Sequence, residues 1–170
     1  MPSDAVVFPP PYRPLPVIEG DAFARACAEA AAGADDGTLV WSGDPRRLDC
    51  AIVLEKDHVF PAVSLALLAL ADAVGAVGPP NVQVAIGQTD RLLVNGAVAG
   101  GVRLAFPTGE AMVIGATVDI LGDPDDEPGR HPERTALREE GFDEMDTAAL
   151  AVGFSRYFLL RLDRWQEGGR

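Results

Sequence analysis

The chain has 170 residues, long enough for one well-buried core and short for two, and its 48% hydrophobic and 24% charged composition is ordinary globular usage. Its 26 acidic against 14 basic side chains leave a net charge of -12, a poor electrostatic match for nucleic-acid phosphates or anionic lipid. Nucleic acid and membrane are therefore set aside as partners, and the longest apolar stretch is short of the ~20 residues a bilayer requires.

The first residues, "MPSDAVVFPPPYRPLP", lack the basic start and long apolar core of a secretory signal. Prolines fill five of the eight positions 9–16 and exclude helix. Residues 1–20 thus read as an extended arm and residues 21–170 as the domain. In "DAFARACAEAAAG", Phe23, Ala26, Cys27 and Ala30 recur at helical spacing, with Asp21 placed to cap the start and Gly33 to end it. "TLVWS" and "DCAIVLE" are short β-rich runs separated by the turn-like "GDPRR". A helix follows that is apolar on nearly every side and must be buried on more than one of them, with Pro61 in its first turn and "GAVGPP" at its close. "VQVAI", "RLLV", "AVAGGVRLAF" and "AMVIGATVDI" are four strands, and Asn95-Gly96 is the clearest hairpin turn in the chain. Beyond the acidic loop "GDPDDEPGRHPER" the pattern is helical around residues 135–140 and again over 146–165. This order predicts an α+β fold, a mainly antiparallel sheet with helices covering one face. The strands of residues 82–120 are expected to be adjacent, with the 62–74 helix on the face opposite a ligand pocket.

Cys27 and Cys50, the only cysteines, sit in apolar patterns and read as buried structural thiols rather than a disulfide or zinc site, which points to a reducing, cytoplasmic compartment. His58 and His131 have no second ligand at metal spacing, so no metal is expected. Ser64 and Ser155 lack a His or Asp at suggestive spacing, and no nucleophile emerges.

The stretch "GQTDRLLVNGAVAGGV", residues 87–102, invites a functional reading. On residue type alone, Gly100-Gly101 reads as a β-bulge sooner than as a ligand cradle, Asp90 as a turn cap or a ligand-holding acid, and Arg46 and Arg47 as a solvated pair. The order of motifs adds to this. Asp90 precedes the strand "RLLV", the turn "NG" and then Ala99-Gly100; Ile114-Gly115 follows in "VIGATVD"; Thr135-Ala136-Leu137 precedes the last helix, and Trp165 opens the closing residues 165–169. In this the chain resembles the catalytic domain of biotin and lipoate protein ligases, a branch of the fold shared with class II aminoacyl-tRNA synthetases. The family signatures are Lys-Trp-Pro-Asn-Asp, strand, turn, Ala-Gly; then Ile-Gly-x-Gly-x-Asn, Thr-Ser-Leu, and Trp-x-x-x-Gly.

Family ligases form an acyl-adenylate from ATP and a carboxylate and pass the acyl group to a carrier lysine. Such chemistry brings like charges together and requires cations and backbone donors. The family supplies them through a Gly-Arg-rich loop and the signature lysine. Here "ADDGTLVWSGDPRRLD" has no Gly-Arg repeat, Ile86-Gly87-Gln88-Thr89 replaces Lys-Trp-Pro-Asn, and the single lysine, Lys56, lies elsewhere. Arg46 and Arg47 could stand in for the loop and Arg91 or Arg103 for the lysine, although a planar guanidinium does not reproduce a compact ammonium. The resemblance implies a ligand-binding set of Asp90, Arg91, Gly100, Gly101, Gly115, Arg46 and Arg47. It implies a small acyl carboxylate as ligand, with ATP and biotin or lipoate as cosubstrates if the chain is active. The expectation is a binding domain that keeps the acyl pocket but has lost or altered adenylation. The alternative is an active biotin- or lipoate-type ligase or acyltransferase that uses arginines; a purely structural domain is disfavoured by the retained "LLVNGAVAGG" and "IGA". A biotinyl or lipoyl carrier domain, itself commonly acidic, would dock slowly on this chain without a local basic patch.

Overall fold

Seven strands form one sheet in the computed structural model, which describes residues 6–17, 20–56, 61–122, 132–143 and 145–168. In chain order they are β1 (Arg13–Val17), β2 (Thr38–Ser42), β3 (Arg47–Glu55), β4 (Val84–Gly87), β5 (Arg91–Val94), β6 (Ala97–Ala105) and β7 (Ala111–Asp119), and across the sheet the order is β1-β2-β3-β7-β6-β5-β4. All neighbours are antiparallel except β1 and β2. The four strands of residues 82–120 are consecutive, as their patterning predicts. The proline-rich segment read as an arm contains β1, which occupies a sheet edge, where prolines cost no ladder hydrogen bond. Phe8 and Tyr12 just before it are buried in the main core, and the Tyr12 hydroxyl donates to the Ser155 carbonyl at 3.0 Å.

Alternation along β3 and β7 sorts their side chains between two cores. Leu48, Cys50, Ile52 and Leu54, with Met112, Ile114, Ala116 and Val118, face α2 (Ala62–Val77) and α3 (Thr147–Glu167). Ala51, Val53 and Val113 face α1 (Ala22–Ala31), whose Ala22, Ala26 and Ala30 present the small side chains that let a helix lie close on a sheet. Helices therefore lie on both faces rather than one, because the alanine stripe of α1 buries against the side that α2 and α3 leave free. α2 is sandwiched between sheet and α3, which explains its lack of a polar face. Its only charged residue, Asp72, accepts from Arg161 of α3 through both carboxylate oxygens at 2.8 and 3.0 Å.

Local signals operate largely as read. Asp21 accepts from the N–H groups of Phe23 and Ala24 and caps α1, and Asp146 caps α3 through Ala148. Asn95 (φ 50°) and Gly96 (φ 86°) make the two-residue turn between β5 and β6. Three details differ: Pro61 is the N-cap of α2 rather than a residue of its first turn, residues 135–140 contribute only a 3₁₀ turn at Leu137–Glu140 stopped by Gly141, and Arg47 belongs to β3 rather than the preceding loop. Cys27 is half-buried and Cys50 buried, both as free thiols. His58, His131, Gly169 and the "DPDDEP" loop lie outside the described residues. No helix among the described residues is long and apolar enough to cross a membrane.

Candidate functional site

The N-terminus of α1 lies over β7 at Gly115, so the same face of β7 continues beyond the helix with Thr117 and Asp119. Strand register carries the row through Thr117 across the sheet: Asp49 of β3 pairs with Thr117, Thr117 with Gly101 of β6, and Gly101 with Arg91 of β5. α1 packs chiefly on β2, β3 and β7. Among the described residues this half of the sheet has no helix above it, and the turn before β5 lies over it at Gly101.

The cations around this surface are mostly engaged. Arg103, which pairs with Gly115, lies over the Phe23 ring at 4.3 Å from its centroid and donates to the two carboxylate oxygens of Asp21 at 3.4 and 3.5 Å. Burial pushes the Asp21 carboxyl up, but the Ala24 and Phe23 N–H groups and Arg103 outweigh it, and the net direction is down. Arg47 donates to Asp119 at 3.1 Å. Arg46 donates to the Gly122 carbonyl at 2.6 Å while its own carbonyl accepts from Ile120 and Leu121, so it closes the end of β7. Lys56 lies over the Phe106 ring at the opposite end of β3. Arg91 is exposed and makes no ion pair among the described residues.

The glycines of the site have packing reasons. The β5–β6 register shifts between Leu92 and Leu93, a bulge, and Gly100 pairs there with Leu92 and Val118, both core residues. A Cβ on Gly100 would fall on the Thr117 carbonyl oxygen. One on Gly101 would stand 2.5 Å from the Asp90 carbonyl oxygen, which accepts from Val102 N–H at 3.0 Å. Gly101 therefore lets the turn before β5 fold down onto β6. That turn is strained, since Thr89 (φ 56°) and Asp90 (φ 61°) both occupy the left-handed region, a rare conformation for a β-branched residue. A Cβ on Gly115 would stand 2.5 Å from the Phe23 ring. The structure thus brings Asp90, Arg91 and Gly101 together, places Gly115 beside them under Phe23, puts Gly100 in the bulge, and holds Arg46 and Arg47 at the start of β3.

One residue of the site escaped the sequence reading. Asp49 is 8% exposed, yet it lies at the end of the uncovered row, and its Oδ2 accepts from the Ala22 N–H at 3.1 Å. The available signal was an acid set between the apolar Leu48 and Cys50, at the head of the run "DCAIVLE". Burial raises its carboxyl above the ordinary range; the Ala22 N–H opposes this, Asp21 adds to it, and Arg47 and Arg103 oppose it. An acid whose pKa is raised on folding contributes stability that is present at low pH and lost as pH rises through the raised value. Asp49→Asn keeps an acceptor for Ala22 and removes the charge. It should melt higher than the wild type at pH 7, with the gap closing as pH falls towards about 4; melts over that range check this, and a pH-independent gap would contradict it.

Among the described residues no cluster of three His, Cys, Asp or Glu is arranged for a metal. A separate, largely apolar cleft of 340 Å³ opens beyond the end of β7, lined by Pro45, Ile120, Leu121, Arg138, Phe142 and Met145. None of the site residues lines it except through the neighbour of Arg46, Pro45.

A seven-stranded, mostly antiparallel sheet with this helix placement is the fold of the biotin protein ligases. Over 91% or more of the chain it superposes on the ligase of Aquifex aeolicus (TM-score 0.76, 12% identity, 92% of this chain and 71% of that one) and on that of Leishmania major solved with biotin (TM-score 0.64, 16% identity, 94% and 81%). A higher likeness is to a biotin protein ligase-like protein of unknown function from a Silicibacter species, with TM-score 0.84 and 28% identity over 97% of this chain and 76% of that one. A search of curated protein sequences finds no match. The model of the biotin/lipoate A/B protein ligase family matches residues 8–170, and the chain belongs to that family.

Proposed function

We propose that this chain binds a small acyl carboxylate on the uncovered half of the sheet and does not adenylate it. The supporting observation is the state of the cations: Arg103 is matched by Asp21 and Arg47 by Asp119, while Arg91, on the row that runs to Asp49, makes no ion pair among the described residues. One guanidinium suits one carboxylate. A triphosphate beside a carboxylate needs several cations, and without them the two lose several kcal/mol of electrostatic stabilisation. A ligase that uses arginines is the second reading, and it requires Arg103 and Arg47 to leave their aspartates.

Calorimetric titration with biotin, lipoate and octanoate should show binding of at least one, weakened about tenfold or more by Arg91→Ala, in line with a charged hydrogen bond worth ~1.5–3 kcal/mol. Exchange of pyrophosphate into ATP in the presence of the bound acid should stay at background. Robust exchange abolished by Arg91→Ala or Arg46→Ala would establish the ligase reading instead.

A further inference from the structure

We propose that the turn before β5 is a gate over the uncovered half of the sheet: backbone strain at Thr89 favours its lifting off Gly101, and an acid binds only once it has lifted. This rests on the acyl-binding reading above and adds how the site is reached.

Two hairpin turns of this chain place consecutive residues in the left-handed region, and they do so with unequal chemistry. Between β5 and β6 the residues are Asn95 (φ 50°) and Gly96 (φ 86°), the pair that such turns favour. Between β4 and β5 they are Thr89 (φ 56°) and Asp90 (φ 61°). Aspartate tolerates that region, whereas the branched Cβ of threonine crowds the backbone there. The two turns are also held differently. Asn95 donates from its N–H to the Gln83 carbonyl at 2.7 Å, accepts from Gln83 N–H at 2.9 Å and donates from Nδ2 to Glu140 at 2.9 Å. Residues 88–90 are exposed, and their tie to β6 is the bond from Val102 N–H to the Asp90 carbonyl at 3.0 Å. Lifting the turn exchanges that bond for bonds to water and releases the strain of Thr89. Gly87, just before the turn, takes up the change in backbone angles at little steric cost.

The position of the turn gives its opening a consequence. A Cβ on Gly101 would stand 2.5 Å from the Asp90 carbonyl oxygen, so the turn lies on the face that Gly101 shares with Thr117 and Asp49. While the turn is down, a ligand on that face meets its backbone. Once it lifts, Gly101 offers a floor without a side chain. An acid that binds the open form alone has its affinity reduced by the fraction of molecules that are open. An Asn-Gly pair at 89–90, like the one the chain uses a few residues later, would hold the gate shut.

The test uses the full chain, amide hydrogen exchange, and titration with octanoate, lipoate and biotin. Exchange reads the gate without ligand: in the wild type the Val102 amide should be at least about tenfold less protected than the Asn95 amide. Thr89→Asn suits the left-handed region and should raise Val102 protection about tenfold while leaving Asn95 unchanged. The Kd of each acid that binds should rise by the same factor, because both quantities follow one open fraction. Thr89→Val keeps the branched Cβ and loses only the hydroxyl, so it should match the wild type in both measurements. Four results would overturn the gate and leave the acyl-binding reading standing: equal protection of Val102 and Asn95 in the wild type, no rise at Val102 in Thr89→Asn, a Kd that stays fixed while that protection rises, or a Thr89→Val protein that behaves like Thr89→Asn. Binding of none of the three acids would overturn both.

Discussion

Gly100→Val should lose about 3 kcal/mol or more of folding stability, read as a shift in the denaturant midpoint, and should do so without a ligand present. The added Cβ falls on the Thr117 carbonyl oxygen, a backbone atom held in the β6–β7 ladder that cannot swing aside as a side-chain tip can. Relief would require β6 and β7 to part beside the β5–β6 bulge, and Leu92 and Val118, the partners of Gly100 on either side, are both buried in the main core. Gly100→Ala should already lose much of this, because the first carbon makes the clash. A Gly100→Val protein as stable as the wild type but unable to bind octanoate or biotin would show instead that the glycine makes room for ligand.

The strand order of residues 82–120, the Asn95-Gly96 turn and the Asp21 cap are local, period-2 or single-residue signals, and they appear where the pattern places them. The glycine pair was visible as a bulge or a cradle, but the choice depended on which backbone passes over each Cα, a fact set by register across three strands. β1 was hidden because its prolines argue against a strand in general and only its place at an edge makes them harmless. The location of α1 was hidden for a related reason: its alanine stripe is compatible with either sheet face, and the face was decided by which one α2 and α3 had already covered. Among site residues, Asp90 and Arg91 came from the family resemblance. Asp49 could have been found by asking why a single acid interrupts a buried strand, whereas its partnership with Ala22 N–H joins residues 27 apart in sequence.

The second large effect concerns Phe23 and Gly115. Phe23→Ala should cost about 2–3 kcal/mol, since the half-buried ring packs on β7 and carries the Arg103 guanidinium on its outer face. Gly115→Ala should cost about 1–3 kcal/mol, because its Cβ would stand 2.5 Å from the ring and the ring must turn against α1 to make way. The double variant should cost less than the sum by ~1 kcal/mol or more, as the new methyl enters space the ring has vacated. Additivity within about 0.5 kcal/mol would mean that the ring and the glycine do not share that space. The same substitution bears on function. With the ring gone, the uncovered surface extends from Thr117 to Gly115 and Arg103 loses its platform beside Asp21. Phe23→Ala should therefore shift preference towards longer acids, with dodecanoate gaining relative to octanoate in the same titration. If the chain-length preference stays fixed while stability falls, Phe23 supports the sheet but does not bound the ligand.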